Sequence, residues 1–181
     1  MRLTGLILKL FGWSVSVSVP DYPKSIICVA PHTSNWDFIL CELAIRSVGR
    51  HAGFLMKDTW FRWPLGSFFR SIGGIAVPRR RPGNGSLTDF LIEKFGKSDR
   101  LVVAITPEGT RSRTSAWHTG FLHIAYSTGV PVGLAVLDFA SKRIMLDTEF
   151  TPTGDVEADM KAIKKFYAPY KGKYPEKFTT E

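Results

Sequence analysis

Two short polar stretches of this 181-residue chain carry residue types that move protons and hold anions. The first, H-T-S-N-W-D, runs from His32 to Asp37. An imidazole takes a proton from a hydroxyl near neutral pH, and a carboxylate beside it fixes one tautomer and stabilises the imidazolium as it forms. With the nucleophile supplied by a substrate, such a pair needs no serine or cysteine of its own. A second reading fits the same spacing: a turn histidine, then an aspartate whose charge favours a helix N-terminus. The other stretch, T-P-E-G-T-R-S-R, runs from Thr106 to Arg113. Pro107 and Gly109 shape a tight turn, and Gly109 admits a backbone N–H close to a ligand. Arg111 offers a planar fork for phosphate or carboxylate. Glu108 is suited to accept a hydrogen bond from a hydroxyl, or to order the turn. The alternative here is a solvated loop with a Glu–Arg surface pair. Lys57 and the run G-G-I-A-V-P-R-R-R, from Gly73 to Arg81, add cations for an anion site. Arginine runs also suit a solvated loop or a nucleic-acid patch.

Both polar stretches follow short apolar runs that read as buried strands, residues 25–30 and 101–105. A loop leaving a strand's carboxyl end and opening a helix is where open α/β sheets place their sites. Helical spacing marks residues 36–48, 87–95, 117–128 and an amphipathic segment with Val156, Met160, Ile163 and Tyr167. Further strands are expected at 53–56, 75–77, 132–137 and 142–150. The alternation predicts an α/β fold, a central mostly parallel sheet flanked by helices, in a single domain with an apolar N-terminal helix. The lysine-rich tail beyond Tyr170 reads as loose.

Length fits about one domain of roughly 150 residues. The chain is 44% hydrophobic and 22% charged, a globular balance, with net charge +8. A basic surface attracts nucleic acid, anionic lipid or phosphorylated substrates. No zinc-finger or RNA-binding signature accompanies the charge, so no nucleic-acid partner is expected. Cys28 and Cys41 read as buried free thiols in a reducing compartment. His51, His118 and His123 read as structural, and no metal-ligand spacing links them to His32 or the cysteines.

Residues 3–19 are strongly apolar, yet interrupted by Lys9 and shorter than the roughly 20 residues of a comfortable span. No cleavage site stands before Pro20. Leu3, Leu6, Ile7, Leu10 and Phe11 share a helical face, so residues 1–19 read as an interfacial, membrane-associating segment ahead of a domain at 20–181. An ordinary helix packed on the domain is the alternative. Trp60, Phe61, Trp63, Phe68 and Phe69, interleaved with Arg62 and Arg70, suit a headgroup-level anchor or an acyl tunnel, or else a core helix.

Taken together, these segments resemble the 1-acylglycerol-3-phosphate O-acyltransferase family. His-x4-Asp matches His32 to Asp37; Gly, a hydrophobic stretch and Arg match Gly73 to Arg79; Pro-Glu-Gly-Thr-Arg-Ser matches Pro107 to Ser112; a Val-Pro-hydrophobic run matches Val130 to Val136. Order and spacing agree over about two-thirds of the chain. Thr106 and Ala76 stand where Phe is usual, and Leu134 where a second Pro is common. Trp117-His118-Thr119-Gly120-Phe121 resembles a compact bacterial subgroup. The resemblance implies an α/β enzyme on the cytoplasmic face of the inner membrane, peripheral or monotopic. It implies His32 as base and Asp37 as its partner, with Arg79, Glu108 and Arg111 holding a phosphorylated acceptor. The candidate binding set is Lys57, Arg79, Glu108, Gly109, Thr110 and Arg111. The expected partners are membrane lipids and acyl-CoA or acyl carrier protein as co-substrate, with no cofactor and no metal. Acylation of another acceptor, such as an aminolipid, and non-catalytic lipid binding are the competing expectations.

Overall fold

The computed structural model describes residues 2–77 and 86–181. Its frame is a seven-stranded sheet in the order β1-β7-β6-β2-β5-β3-β4. The strands are β1 Ser14–Val17, β2 Lys24–Ala30, β3 Gly53–Lys57, β4 Gly74–Val77, β5 Leu101–Ile105, β6 Val132–Asp138 and β7 Arg143–Phe150. Every neighbouring pair is parallel except the β6–β7 hairpin. The helices are α1 Leu3–Leu10, α2 Trp36–Ser47, α3 Leu65–Ser71, α4 Leu87–Lys97, α5 Gly120–Thr128 and α6 Val156–Tyr167.

The two central strands read as near-continuous apolar runs because both of their faces are covered. On one face, Ile26, Cys28, Val132, Leu134 and Val136 pack against Leu91 and Phe95 of α4, Phe121 and Leu122 of α5, and Ile163 and Tyr167 of α6. Alternate residues point the other way: Ile27, Val29 and Ala135 meet Cys41 and Ile45 of α2, while Leu8 of α1 packs with Leu40, Ala44 and Leu137. The helices start where side chains satisfy free N–H groups. The Ser86 hydroxyl accepts from Asp89 N while Asp89 accepts from Ser86 N, and Asp155 accepts from the N–H groups of Glu157 and Ala158.

Three expectations are corrected. The apolar stretch 3–19 is not one helix: after α1 the chain enters β1, where Ser-Val-Ser-Val alternates and pairs with β7. The helix expected from residue 117 begins at Gly120, because Trp117 and His118 are committed elsewhere: the Trp117 indole N–H donates to Thr179 O and His118 N donates to Pro107 O. The tail beyond Tyr170 is ordered against the domain. Phe178 packs on the core, Lys171 N donates to Asp138, and residues Pro175–Lys177 form a 3-10 turn. The aromatic stretch near residue 60 becomes a 3-10 turn, Asp58–Phe61, followed by α3. No helix among the described residues is long and apolar enough to cross a membrane.

Beneath the carboxyl ends of the strands, the fully buried Tyr167 hydroxyl donates to Cys28 O at 2.7 Å, tying α6 to β2. Tyr167→Phe is expected to lower unfolding free energy by about 1 kcal/mol in urea titrations, with the midpoint falling and the slope unchanged.

Candidate active site

Parallel pairing brings the carboxyl ends of β2, β5, β3 and β4 to one edge of the sheet. Cys28 is in register with Ile105, so the loops leaving β2 and β5 emerge side by side. The first carries His32 into α2 and the second carries Glu108. They are joined directly: His32 N donates to Glu108 Oε1 at 2.8 Å.

Asp37, in the first turn of α2, is 2% exposed and lies with Oδ2 3.3 Å from His32 Nδ1. The same oxygen accepts from the N–H groups of Thr33 and Ser34, each at 2.7 Å, and Oδ1 accepts from the Ser34 hydroxyl. Burial alone pushes this carboxyl up, but the hydrogen bonds from His32, Ser34 and Thr33 outweigh it and leave the group below its ordinary range. Asp37 is therefore an anion at neutral pH. An anion facing Nδ1 selects the tautomer with its proton there, which leaves the basic lone pair on Nε2. The histidine side chain is 14% exposed, open enough to meet a substrate atom. A turn histidine and a helix-favouring aspartate were the alternative reading; the two side chains are instead one hydrogen-bonded unit.

Glu108 is not half of a surface ion pair. It is 6% exposed, and its Oε2 is buried with no hydrogen-bond partner among the described residues. Burial raises its pKa to about 7, against the lowering effect of the N–H of His32. The residue clamps two loops together and holds one unsatisfied carboxyl oxygen beside the imidazole's own backbone. Gly109 has φ +62, and a Cβ there would stand 2.5 Å from the His118 ring. Its N–H is taken by Thr106 O at 3.1 Å, so the close approach that glycine permits is made by the His118 ring. Thr110 Oγ1 accepts from Ser112 N, and Arg111 is exposed on the same loop. Lys57 is exposed at the carboxyl end of β3, whose pairing with β5 through Phe54 and Ala104 puts it level with the Glu108 turn. Arg79 lies outside the described residues.

Thr33 and Ser34 were not singled out by sequence reasoning, though they supply three of the contacts that hold Asp37. A signal existed for one of them: Ser34-x-x-Asp37 is half of a helix capping box. A cavity of about 80 Å³ opens between α2 and the sheet, lined by Val29, Phe38, Cys41, Phe54, Ala104 and Ala135 but not by His32 or Asp37 themselves. Val29 stands near the carboxyl end of β2, just ahead of His32, and Phe38 adjoins Asp37. Burial pushes both thiols up, Cys41 to about 12, so neither is a thiolate near neutral pH.

Comparison with known proteins adds three findings. The acyltransferase family model matches residues 16–134, a span that holds His32, Asp37 and the Glu108 loop. The 1-acyl-sn-glycerol-3-phosphate acyltransferase of Haemophilus influenzae is 27% identical over 156 residues, which cover 81% of this chain and 62% of that protein. Its Escherichia coli counterpart is 26% identical over 158 residues, covering 81% and 61%. The chain thus spans about 62% of the length of the curated relatives it matches. The crystal structure of the 1-acyl-sn-glycerophosphate (LPA) acyltransferase PlsC from Thermotoga maritima superposes with a TM-score of 0.61 at 18% identity, over 92% of this chain and 74% of that one, and shares the fold.

The raised carboxyl of Glu108 fixes a sign for stability. The folded state holds that proton to about pH 7, while the unfolded chain releases it near 4.5. The stabilising effect of the proton is full below 4.5 and is lost as pH rises through 7. Glu108→Gln is expected to melt higher than the parent at pH 8, by on the order of 3 kcal/mol at most, and to show less advantage at pH 5; thermal melts at the two pH values check it.

Proposed function

The chain belongs to the acyltransferase family, and from that premise we propose that it moves a fatty-acyl group from a thioester carrier to a hydroxyl of a lysophospholipid such as 1-acylglycerol-3-phosphate. One observation carries the reading: a buried, anionic Asp37 holds Nδ1 of a partly exposed His32 imidazole, at the sheet edge where the Glu108 loop also emerges. The named relatives, which act on 1-acyl-sn-glycerol-3-phosphate, support the choice of acceptor.

Nε2 of His32 takes the proton of the acceptor hydroxyl as its oxygen attacks the thioester carbonyl. The carbonyl oxygen gathers the negative charge. When the tetrahedral intermediate collapses, the carbon–sulfur bond breaks, the ester forms, and the leaving thiolate takes back the proton from the imidazolium. Asp37 stabilises that imidazolium through Nδ1. No acyl-enzyme is needed, in keeping with two thiols that stay protonated. The thioester, acyl-CoA or acyl carrier protein, is already activated, so the protein's share of the work is mainly positioning. Arg111 and Lys57, with Arg79, are the cations for the acceptor's phosphate. The cavity lined by Val29 and Phe38 is apolar and suits the start of an acyl chain.

The lipid substrate calls for a membrane surface, and one region of the protein suits it. Among the exposed large apolar side chains, most belong to three neighbouring segments: Leu3, Leu6, Leu10 and Phe11 at α1, Trp36, Phe38, Ile39 and Val48 at α2, and Trp60, Trp63, Leu65 and Phe68 around α3. The α1 helix packs on α2, and Arg46 of α2 reaches Ile72 O at the end of α3. Trp63 is 94% exposed. Arg2, Lys9, Arg62 and Arg70 stand among these side chains, a combination suited to an anionic lipid headgroup layer. We place the protein at the cytoplasmic face of the inner membrane, peripheral or monotopic.

Incubation with labelled acyl-CoA and 1-acylglycerol-3-phosphate, followed by mass spectrometry, is expected to show the diacyl product; His32→Ala should lose about 10²- to 10⁴-fold in rate, and near-full activity in that variant would refute the base role. Flotation with phosphatidylglycerol–phosphatidylethanolamine vesicles is expected to carry the parent protein upward and to lose it when Leu10 and Trp63 are both changed to Glu.

A further inference from the structure

The tail that follows α6 lies beyond the residues matched by the acyltransferase family, and it crosses the catalytic loop. It is fastened at both ends. Before the crossing, Lys171 N donates to Asp138 Oδ1 at 3.0 Å and Lys171 O accepts from Phe139 N at 2.9 Å, at the end of β6. After it, the Phe178 ring packs on Trp117 and Thr179 O accepts from the Trp117 indole N–H. Trp117 in turn adjoins His118, whose N–H is bonded to Pro107 O in the Glu108 loop.

Between these fastenings the tail lies chiefly against Thr33. Tyr174 N donates to Thr33 Oγ1 at 3.2 Å. Gly172 is packed so tightly that a Cβ there would stand 2.7 Å from both Oγ1 and Cγ2 of Thr33, and 3.3 Å from Pro31 Cβ. Thr33 is 2% exposed, and its backbone N–H is one of the donors to Asp37 Oδ2. Its side chain is therefore gripped by the tail while its amide grips the carboxylate. The Lys173 ammonium also lies 5.3 Å from the ring of Trp36, the residue before Asp37.

We infer that residues 171–179 form a strap that positions the His32–Asp37 pair, acting through the Thr33 side chain, with Thr33 and Gly172 as positioning residues. The strap fixes where the Thr33 and Ser34 amides point, and so where the carboxylate holds the imidazole. A displacement of an ångström in such a pair is enough to slow a proton transfer about 10²-fold. The catalytic readout rests on the acyl-transfer reading above; the amide readout does not.

The test uses the full chain with three substitutions. Thr33→Val keeps the shape and deletes the acceptor for Tyr174 N. Gly172→Ala forces the strap off Thr33. Thr33→Ser restores the acceptor. In Thr33→Val and Gly172→Ala, hydrogen exchange at the Thr33 and Ser34 amides is expected to quicken at least about tenfold while exchange within β5 and β6 stays as in the parent, and kcat is expected to fall about tenfold with KM within about twofold. Thr33→Ser is expected to lie within about twofold of the parent in both. Exchange at Thr33 and Ser34 unchanged in both disruptive variants would overturn the strap, as would quickened exchange with unaltered kcat, or a failure of serine to rescue. A parent protein without acyl transfer would count against the proposed function alone, since the exchange measurement would still decide whether the strap holds the loop.

Discussion

A single buried carboxylate organises this site. Removing an anion from water is costly unless its lone pairs are occupied, and Asp37 meets that condition with two backbone amides, one hydroxyl and one imidazole. Those four donors come from consecutive residues, 32 to 34, so satisfying the charge forces the loop after β2 to curl around it. The curl then dictates the direction of the imidazole. Stability and reactivity are the same geometry here, because any arrangement that turned His32 away would also strip the carboxylate of a partner.

The second carboxylate is held differently. Glu108 has one oxygen occupied by His32 N and one without a partner among the described residues, and burial keeps its proton on to about pH 7. Two acidic groups near one imidazole are thus shifted in opposite directions, one pushed down by four donors and one pushed up by burial. Their difference arises from donor count, not from distance to solvent alone.

Much of this could be read from the residues. The buried strands announced themselves as apolar runs, residues 101–105 with their observed bounds, and α6 by the spacing of Met160, Ile163 and Tyr167. The pairing of His32 with Asp37 and the nearness of Glu108 followed from motifs at strand ends. What stayed hidden was carried by backbone atoms and by context. Ser14 to Val17 alternates with the period of a strand, but sits within an apolar stretch long enough to suggest a helix. The tail looked solvated because its lysines are, whereas its attachments are main-chain N–H groups, a glycine and one phenylalanine. Half of the donors to Asp37 are backbone amides, which no residue type reveals.

The parallel pairing of β1 with β7 has a consequence for the order of assembly. Ser18 and Asp147, which share a hydrogen bond at that edge, are 129 positions apart. The partners of α1 on the sheet, Leu137 and Ile144, are synthesised almost as late. During translation β1 has no ribbon to join until β7 has left the ribosome, and a contact closing so large a loop forms slowly. The edge strand β1 is therefore among the later elements to pair, while the greasy helix α1 before it has α2, made soon afterwards, to lean on in the interval.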